Sequence, residues 1–166
     1  MAGSETGREM GSKTQRIDPI QFEVVRSALT QVAEEMAAAL RRSAYSTNVK
    51  TRQDFSCAFF DRNGRPISQA FTQPVHLGSF VELIPTSIKT YGAENLDPGD
   101  MLVVNNPFGG GSHLNDVTVF GPVHRHGELV GYVASLAHHV DVGGGAPASI
   151  GPFQEIFQEG IIIPPV

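Results

Sequence analysis

The feature that most constrains this chain is a glycine-rich loop set between two strand-forming runs. Met101-Leu102-Val103-Val104 leads into Asn105-Asn106-Pro107-Phe108-Gly109-Gly110-Gly111-Ser112-His113-Leu114-Asn115-Asp116, and Val117-Thr118-Val119-Phe120 leaves it. Runs rich in β-branched and aromatic residues favour strands, so the chain must turn within this loop. Consecutive glycines let a backbone take positive φ and approach another segment or a ligand closely. His113 and Asp116 follow three residues apart, and an imidazole and a carboxylate presented together are candidate metal ligands.

A second cluster of the same kind lies downstream. Residues 101–105, 117–123 and 129–137 read as strands, the last two joined around Arg125-His126-Gly127-Glu128, with His124 and His126 as exposed turn residues. The third run ends in Ala137-His138-His139-Val140-Asp141-Val142-Gly143-Gly144-Gly145. Alternate residues of an extended segment face opposite sides, which puts Val140 with His138 and Asp141 with His139, and lets one of the two histidines face inward. A lone His-x-x-Asp is a weak pattern, more often a hydrogen-bonded loop pair than a site. Two such clusters on neighbouring strands can meet, and neutral imidazole with carboxylate suits Zn, Mn or Fe. Other chemistries fit less well. The glycine loop lacks the lysine and following helix of a phosphate-binding loop, there is no nucleophile elbow, and Cys57 sits in an apolar run that reads as core.

The rest of the chain supplies the frame. Asp18-Pro19-Ile20-Gln21 is a strong helix start, and Phe22, Val25, Leu29, Val32 and Met36 continue at helical spacing to about Ser43. Phe55 to Asp61, the turn Asn63-Gly64 and Pro66 to Ala70 form a hairpin, with Asp54 at its edge as an ordinary cap or turn residue. Gln73 to Phe80 reads as a loop into a second helix, which Pro85 should interrupt or restart and Gly92 should end. Asp97-Pro98-Gly99-Asp100 is a turn. The expected fold is α+β: a long N-terminal helix, then a mixed or antiparallel sheet with hairpins and a second helical segment.

Composition narrows the function classes. An apolar content of 40% in 166 residues supports a real core, and a net charge of −5 without a basic run argues against nucleic acid. No apolar stretch is long enough for a membrane span. The single cysteine fits a reducing cytoplasm. Residues 1–17 read as a flexible polar tail without the apolar core of a signal peptide.

Five ordered motifs carry a resemblance. Arg52-Gln53-Asp54-Phe55-Ser56-Cys57-Ala58, Gln73-Pro74-Val75-His76-Leu77-Gly78, the 105–117 loop, Ala137-His138-His139-Val140-Asp141-Val142-Gly143-Gly144 and Glu159-Gly160-Ile161-Ile162-Ile163-Pro164-Pro165 together closely resemble the N-terminal part of the hydantoinase B/oxoprolinase family. The resemblance covers residues 18–166 and implies a metal-binding portion of an ATP-dependent cyclic amide hydrolase. It implies one divalent ion (Mn, Zn or Fe) held by Asp54, His113, Asp116 and His138. His76, His139 and Asp141 match family motifs as partners of the ligands or residues on the substrate side. In such a family a hydantoinase A-type ATPase subunit phosphorylates the substrate, and water activated at the metal then opens the lactam or imide. A cytoplasmic hetero-oligomer is therefore expected, with the rest of a B-type subunit as a further partner. Family B subunits are several times longer, so the resemblance implies a fragment, a truncated product or half of a split subunit. Two alternatives stay open: the acetone/acetophenone carboxylase branch, and a non-catalytic assembly module with a structural metal.

Overall fold

Asp18 caps the first helix as its sequence predicts, its carboxylate accepting the Ile20 N–H at 3.0 Å. The computed structural model describes residues 17–92 and 96–166, so the polar-tail reading of 1–16 lies outside the described residues. Helix α1 (Pro19–Ser43) buries Ala33 and Ala37, with Met36 of the helically spaced set half-buried beside them, while Phe22 and Val25 stay 54% and 57% exposed. Two alanines one turn apart share a helix face and let the backbone lie close to the sheet. They pack there with Phe55, Cys57 and Ala70. A short helix α2 (Thr47–Lys50), absent from the sequence reading, follows with Ser46 as its cap.

Strands β1 (Phe55–Phe60), β2 (Pro66–Gln69), β3 (Leu102–Val104), β4 (Asp116–Arg125) and β5 (Glu128–His138) form one sheet in the order β2-β1-β5-β4-β3. Every pair is antiparallel, so the sheet is not mixed. All positions of β1 are buried, because α1 covers one face and α3 (Pro74–Tyr91) the other. On the α3 side, Ala58, Phe60, Phe120, Tyr132, Ala134 and Leu136 pack with Phe80, Leu83 and Ile84. These strand residues all carry even numbers, the period of an extended chain. Phe60 and Phe80 meet edge-on, with ring centres 5.6 Å apart. The fold is therefore α+β, with the long first helix, hairpins and second helix that the sequence led us to expect.

Three local expectations need correction. The second helix begins at Pro74, not near Phe80, because proline is well suited to a first helical position. This places His76 in its first turn instead of in a loop. Pro85 does not interrupt the helix. It forfeits one backbone bond, but Phe80, Leu83, Ile84 and Ile88, buried on both sides of it, hold the segment helical. Gly92 ends the helix as expected, at φ 92°. His124 is not a turn residue, since it pairs with Leu129 inside the β4–β5 hairpin. The turn is the two residues His126 and Gly127, at φ 53° and 81°, the left-handed pair that a type I′ hairpin requires.

The closing segment runs along the outer edge of β3. Val103 and Val166 exchange backbone hydrogen bonds of 2.8 and 3.2 Å, and the Asn105 N–H donates to Ile163 at 3.1 Å. The fully buried Asn105 amide donates to the carbonyls of Leu114 (2.8 Å) and Ile161 (2.9 Å), and accepts the Ile163 N–H at 2.7 Å. One side chain thus ties the glycine loop to the closing segment. Among the described residues, no helix is long and apolar enough to cross a membrane.

Candidate metal centre

The site is the last row of the sheet face that α3 covers. Asp116 pairs with His138 across β4 and β5, and the His138 N–H donates to the Asp54 carbonyl at 3.0 Å. One row inward, Ser56 and Thr118 flank Leu136, and the next row is Ala58, Ala134 and Phe120. A polar row therefore ends an otherwise largely apolar face. His113 reaches it from the glycine loop, which folds back so that the Asp116 N–H donates to the His113 carbonyl at 3.1 Å. Gly110, at φ 103°, makes this approach possible: a Cβ there would stand 2.6 Å from the Leu83 nitrogen in α3.

Three candidate ligand atoms converge in a nearly equilateral triangle. His113 Nε2 lies 3.2 Å and His138 Nδ1 lies 3.1 Å from Asp116 Oδ1, and the two nitrogens are 3.2 Å apart. The other carboxylate oxygen, Oδ2, accepts a hydrogen bond from Ser112 Oγ and lies 3.6 Å from His76 Nε2. Burial alone would raise the Asp116 pKa, but the hydrogen bonds from His113 and Ser112 outweigh it and hold the carboxyl at about 2. The same bond to Asp116 raises the His113 imidazole above its ordinary value against its partial burial. Burial pushes His76 down despite the pull of Asp116 and Asp54. At neutral pH, then, His76 faces the two carboxylates as a neutral ring.

The donor set fits a divalent transition ion. Bonds of about 2.0–2.2 Å in tetrahedral or octahedral geometry place neighbouring ligand atoms about 3.0–3.5 Å apart. The observed triangle has that spacing, and all ligand atoms of His113, Asp116 and His138 lie within 4.8 Å of one another. Two imidazoles and one carboxylate suit Zn, Mn or Fe better than the all-oxygen shells of Ca or Mg. The His113 side chain is 36% exposed, so one side of the triangle is open to an incoming molecule.

The other residues singled out in the sequence divide into two groups. Asp54 is drawn toward the cluster, its Oδ1 3.6 Å from His76 Nε2, and His76 is buried at 2% exposure beneath both carboxylates. His139 and Asp141 are exposed; the Asp141 carboxylate accepts the Gly143 N–H at 2.8 Å, and the His139 backbone pairs with Asn115. Sequence reasoning missed Ser112 and Ser56. Ser112 adjoins His113, and Ser56 shares the face of Asp54 by strand alternation, so both were findable once the ligands were assigned.

Comparison with known proteins identifies the family. The family profile described as Hydantoinase B/oxoprolinase matches residues 18–166. The chain is 44% identical over 147 residues to 5-oxoprolinase 1 of Arabidopsis thaliana, covering 88% of this chain and 12% of that protein. The crystal structure of ATP-dependent caprolactamase from Pseudomonas jessenii superposes with a TM-score of 0.74 and 34% identity, over 90% of this chain and 26% of that one. The nucleotide-free structure of acetone carboxylase superposes with a TM-score of 0.81 over 90% of this chain and 20% of that one, a likeness of fold at 22% identity. In each case the chain spans less than a third of the length of the protein it matches. The motifs, the antiparallel sheet with its polar end row and these similarities agree that the chain belongs to the hydantoinase B/oxoprolinase family.

Proposed function

We propose that residues 18–166 are the metal-holding part of an ATP-dependent amidohydrolase that opens a cyclic amide or imide by C–N hydrolysis. ATP is used by a hydantoinase A-type partner, which phosphorylates the substrate, and the rest of a B-type subunit completes the site. The observation that carries this reading is the triangle of His113 Nε2, Asp116 Oδ1 and His138 Nδ1, with sides of 3.1–3.2 Å. The oxoprolinase and caprolactamase relatives, 44% and 34% identical, favour a lactam-opening reaction over the carboxylase branch, which rests on likeness of fold.

Each residue has a separable task. His113 and His138 present ring nitrogens, and Asp116 presents Oδ1 toward them while Ser112 secures Oδ2. Asp54 adds a second carboxylate at the rim. A divalent ion bound there supplies Lewis acidity for hydrolysis of an activated carbonyl carbon. The partly exposed His113 edge is where substrate enters. A cytoplasmic hetero-oligomer is the natural setting for a chain that relies on an ATPase partner.

Metal analysis tests the reading first. The purified chain, loaded with Mn, Zn or Fe in turn, is expected to hold one ion, and His113→Ala or His138→Ala to lose it. Turnover is then assayed with the A-type ATPase and the rest of the B-type subunit, offering 5-oxoproline, a hydantoin or caprolactam with ATP. Ring-opened product that disappears in Asp116→Ala supports the proposal. The absence of a stoichiometric ion, or bicarbonate-dependent consumption of a ketone instead, refutes it.

A further inference from the structure

His76 stands in the cluster with a hydroxyl on one ring nitrogen and two carboxylates facing the other. It sits in the first turn of α3 with its side chain 3% exposed, and its two nitrogens face different partners. Nδ1 lies 3.3 Å from Ser56 Oγ, and Nε2 lies 3.6 Å from both Asp54 Oδ1 and Asp116 Oδ2. Thr72 Oγ1 donates to Ser56 Oγ at 3.0 Å, which leaves Ser56 one proton to give. It can go to the Gln73 carbonyl at 3.2 Å or to His76 Nδ1.

Electrostatics decides between the two arrangements. If Ser56 donates to Gln73, the 3.3 Å contact is a hydrogen bond only with the ring proton on Nδ1, and the bare Nε2 lone pair then faces two carboxylates in a buried setting. If Ser56 bonds to Nδ1, Nε2 carries the proton and points an N–H at both anions. The second arrangement is attractive where the first is repulsive, and weak screening in the interior widens the gap. The partner of one ring nitrogen thus sets the tautomer at the other.

We infer that His76 is a positioning residue of the metal site: its Nε2–H, fixed by the Thr72–Ser56 relay, faces Asp54 and Asp116 at 3.6 Å and by electrostatic attraction favours the turn of Asp116 in which Oδ1 faces His113 and His138. This inference rests on the metal reading above. It separates the two oxygens of Asp116 by task, with Oδ1 for the ion and Oδ2 for Ser112 and His76. It also draws together two carboxylates that would otherwise repel each other at the end of the sheet.

The test uses the whole chain and the metal alone. Zn affinity is measured by competition with a chelator, and the visible spectrum of the Co(II)-loaded protein reports the number and type of donors. His76→Leu, which lacks the donor, is expected to bind about 10–100-fold more weakly, the usual effect of losing a partner that orients a ligand. His76→Gln keeps an N–H at similar reach and is expected to restore affinity with the wild-type Co(II) spectrum. Ser56→Ala, which frees the tautomer and leaves the ring in place, should lose affinity in the same direction but less. Circular dichroism confirms that each variant is folded. Should His76→Leu misfold, Ser56→Ala and His76→Gln decide: unchanged affinity in Ser56→Ala, or a changed Co(II) spectrum with weak binding in His76→Gln, overturns the inference. Wild-type affinity in a folded His76→Leu does the same. If the wild-type chain itself binds no ion, the metal reading fails first, an outcome distinct from any of these.

Discussion

Replacing Asp116 by asparagine should weaken the metal-free protein in a pH-dependent way that follows from the surroundings of the carboxylate. Asp116 is 3% exposed and hydrogen-bonded to His113 and Ser112, which hold its pKa at about 2 against an ordinary value of 3.8. At about 1.4 kcal/mol for each pH unit, that difference is worth about 2 kcal/mol of folding stability. The sign follows from the direction. A carboxylate whose folded pKa is depressed contributes above its unfolded value of 3.8 and loses the contribution as pH falls through about 2. His113 works the opposite way: its folded pKa is raised, so its contribution is complete below 6.5 and fades as pH rises through the folded value. The pair therefore stabilises most between the unfolded values of 3.8 and 6.5. Urea unfolding of wild type and Asp116→Asn, with a chelator present, should show a gap of about 2 kcal/mol near the middle of that window. For a chain of this size the corresponding drop in Tm is about 4–8 °C. The gap should close toward about pH 2 and narrow above neutrality. A difference that stays constant with pH, or a more stable asparagine variant, would falsify the claim that an ionised Asp116 is held by these partners.

Two further expectations concern the frame around the site. Gly110→Ala places a methyl group 2.6 Å from the Leu83 nitrogen at φ 103°, so it should cost about 1–2 kcal/mol from the backbone conformation alone and push His113 out of the triangle; metal affinity should fall more than the loss in Tm implies, and an unchanged affinity would show that the loop does not need this approach. Asn105→Ala strips the hydrogen bonds to Leu114, Ile161 and Ile163 and should cost about 1–3 kcal/mol for the polar groups left unpaired. Hydrogen exchange should then accelerate in residues 161–166 before the β4–β5 hairpin, whereas uniform acceleration would mean that Asn105 does not pin that segment.

Much of the frame was legible because it depends on short-range rules. The Asp18-Pro19 cap, the hairpins and the alternation of strand residues are decided by backbone geometry within a few positions. The misreadings share a different origin. Pro85 looks like a helix breaker until Phe80, Leu83, Ile84 and Ile88 are seen buried on both sides of it. The stripe from Phe22 to Met36 looks like the buried face of α1, but Phe22, Val25 and Val32 stay exposed and the sheet takes the Ala33–Ala37 side with Met36 at its edge, where the backbone can come closer. In both, burial against a distant element overrides local propensity.

The candidate site divides along the same line. The sequence by itself determined that His113 and Asp116 lie three residues apart where the glycine loop meets a strand, that glycines let that loop fold back, and that only one of His138 and His139 can face any given side. The tertiary structure alone decided which one does. The register that pairs Asp116 with His138 puts that histidine on the face covered by α3 and leaves His139 exposed. Only packing brought Asp54 from the first hairpin and His76 from α3 to the same row, since an extended strand specifies its two faces but not which helix will cover them.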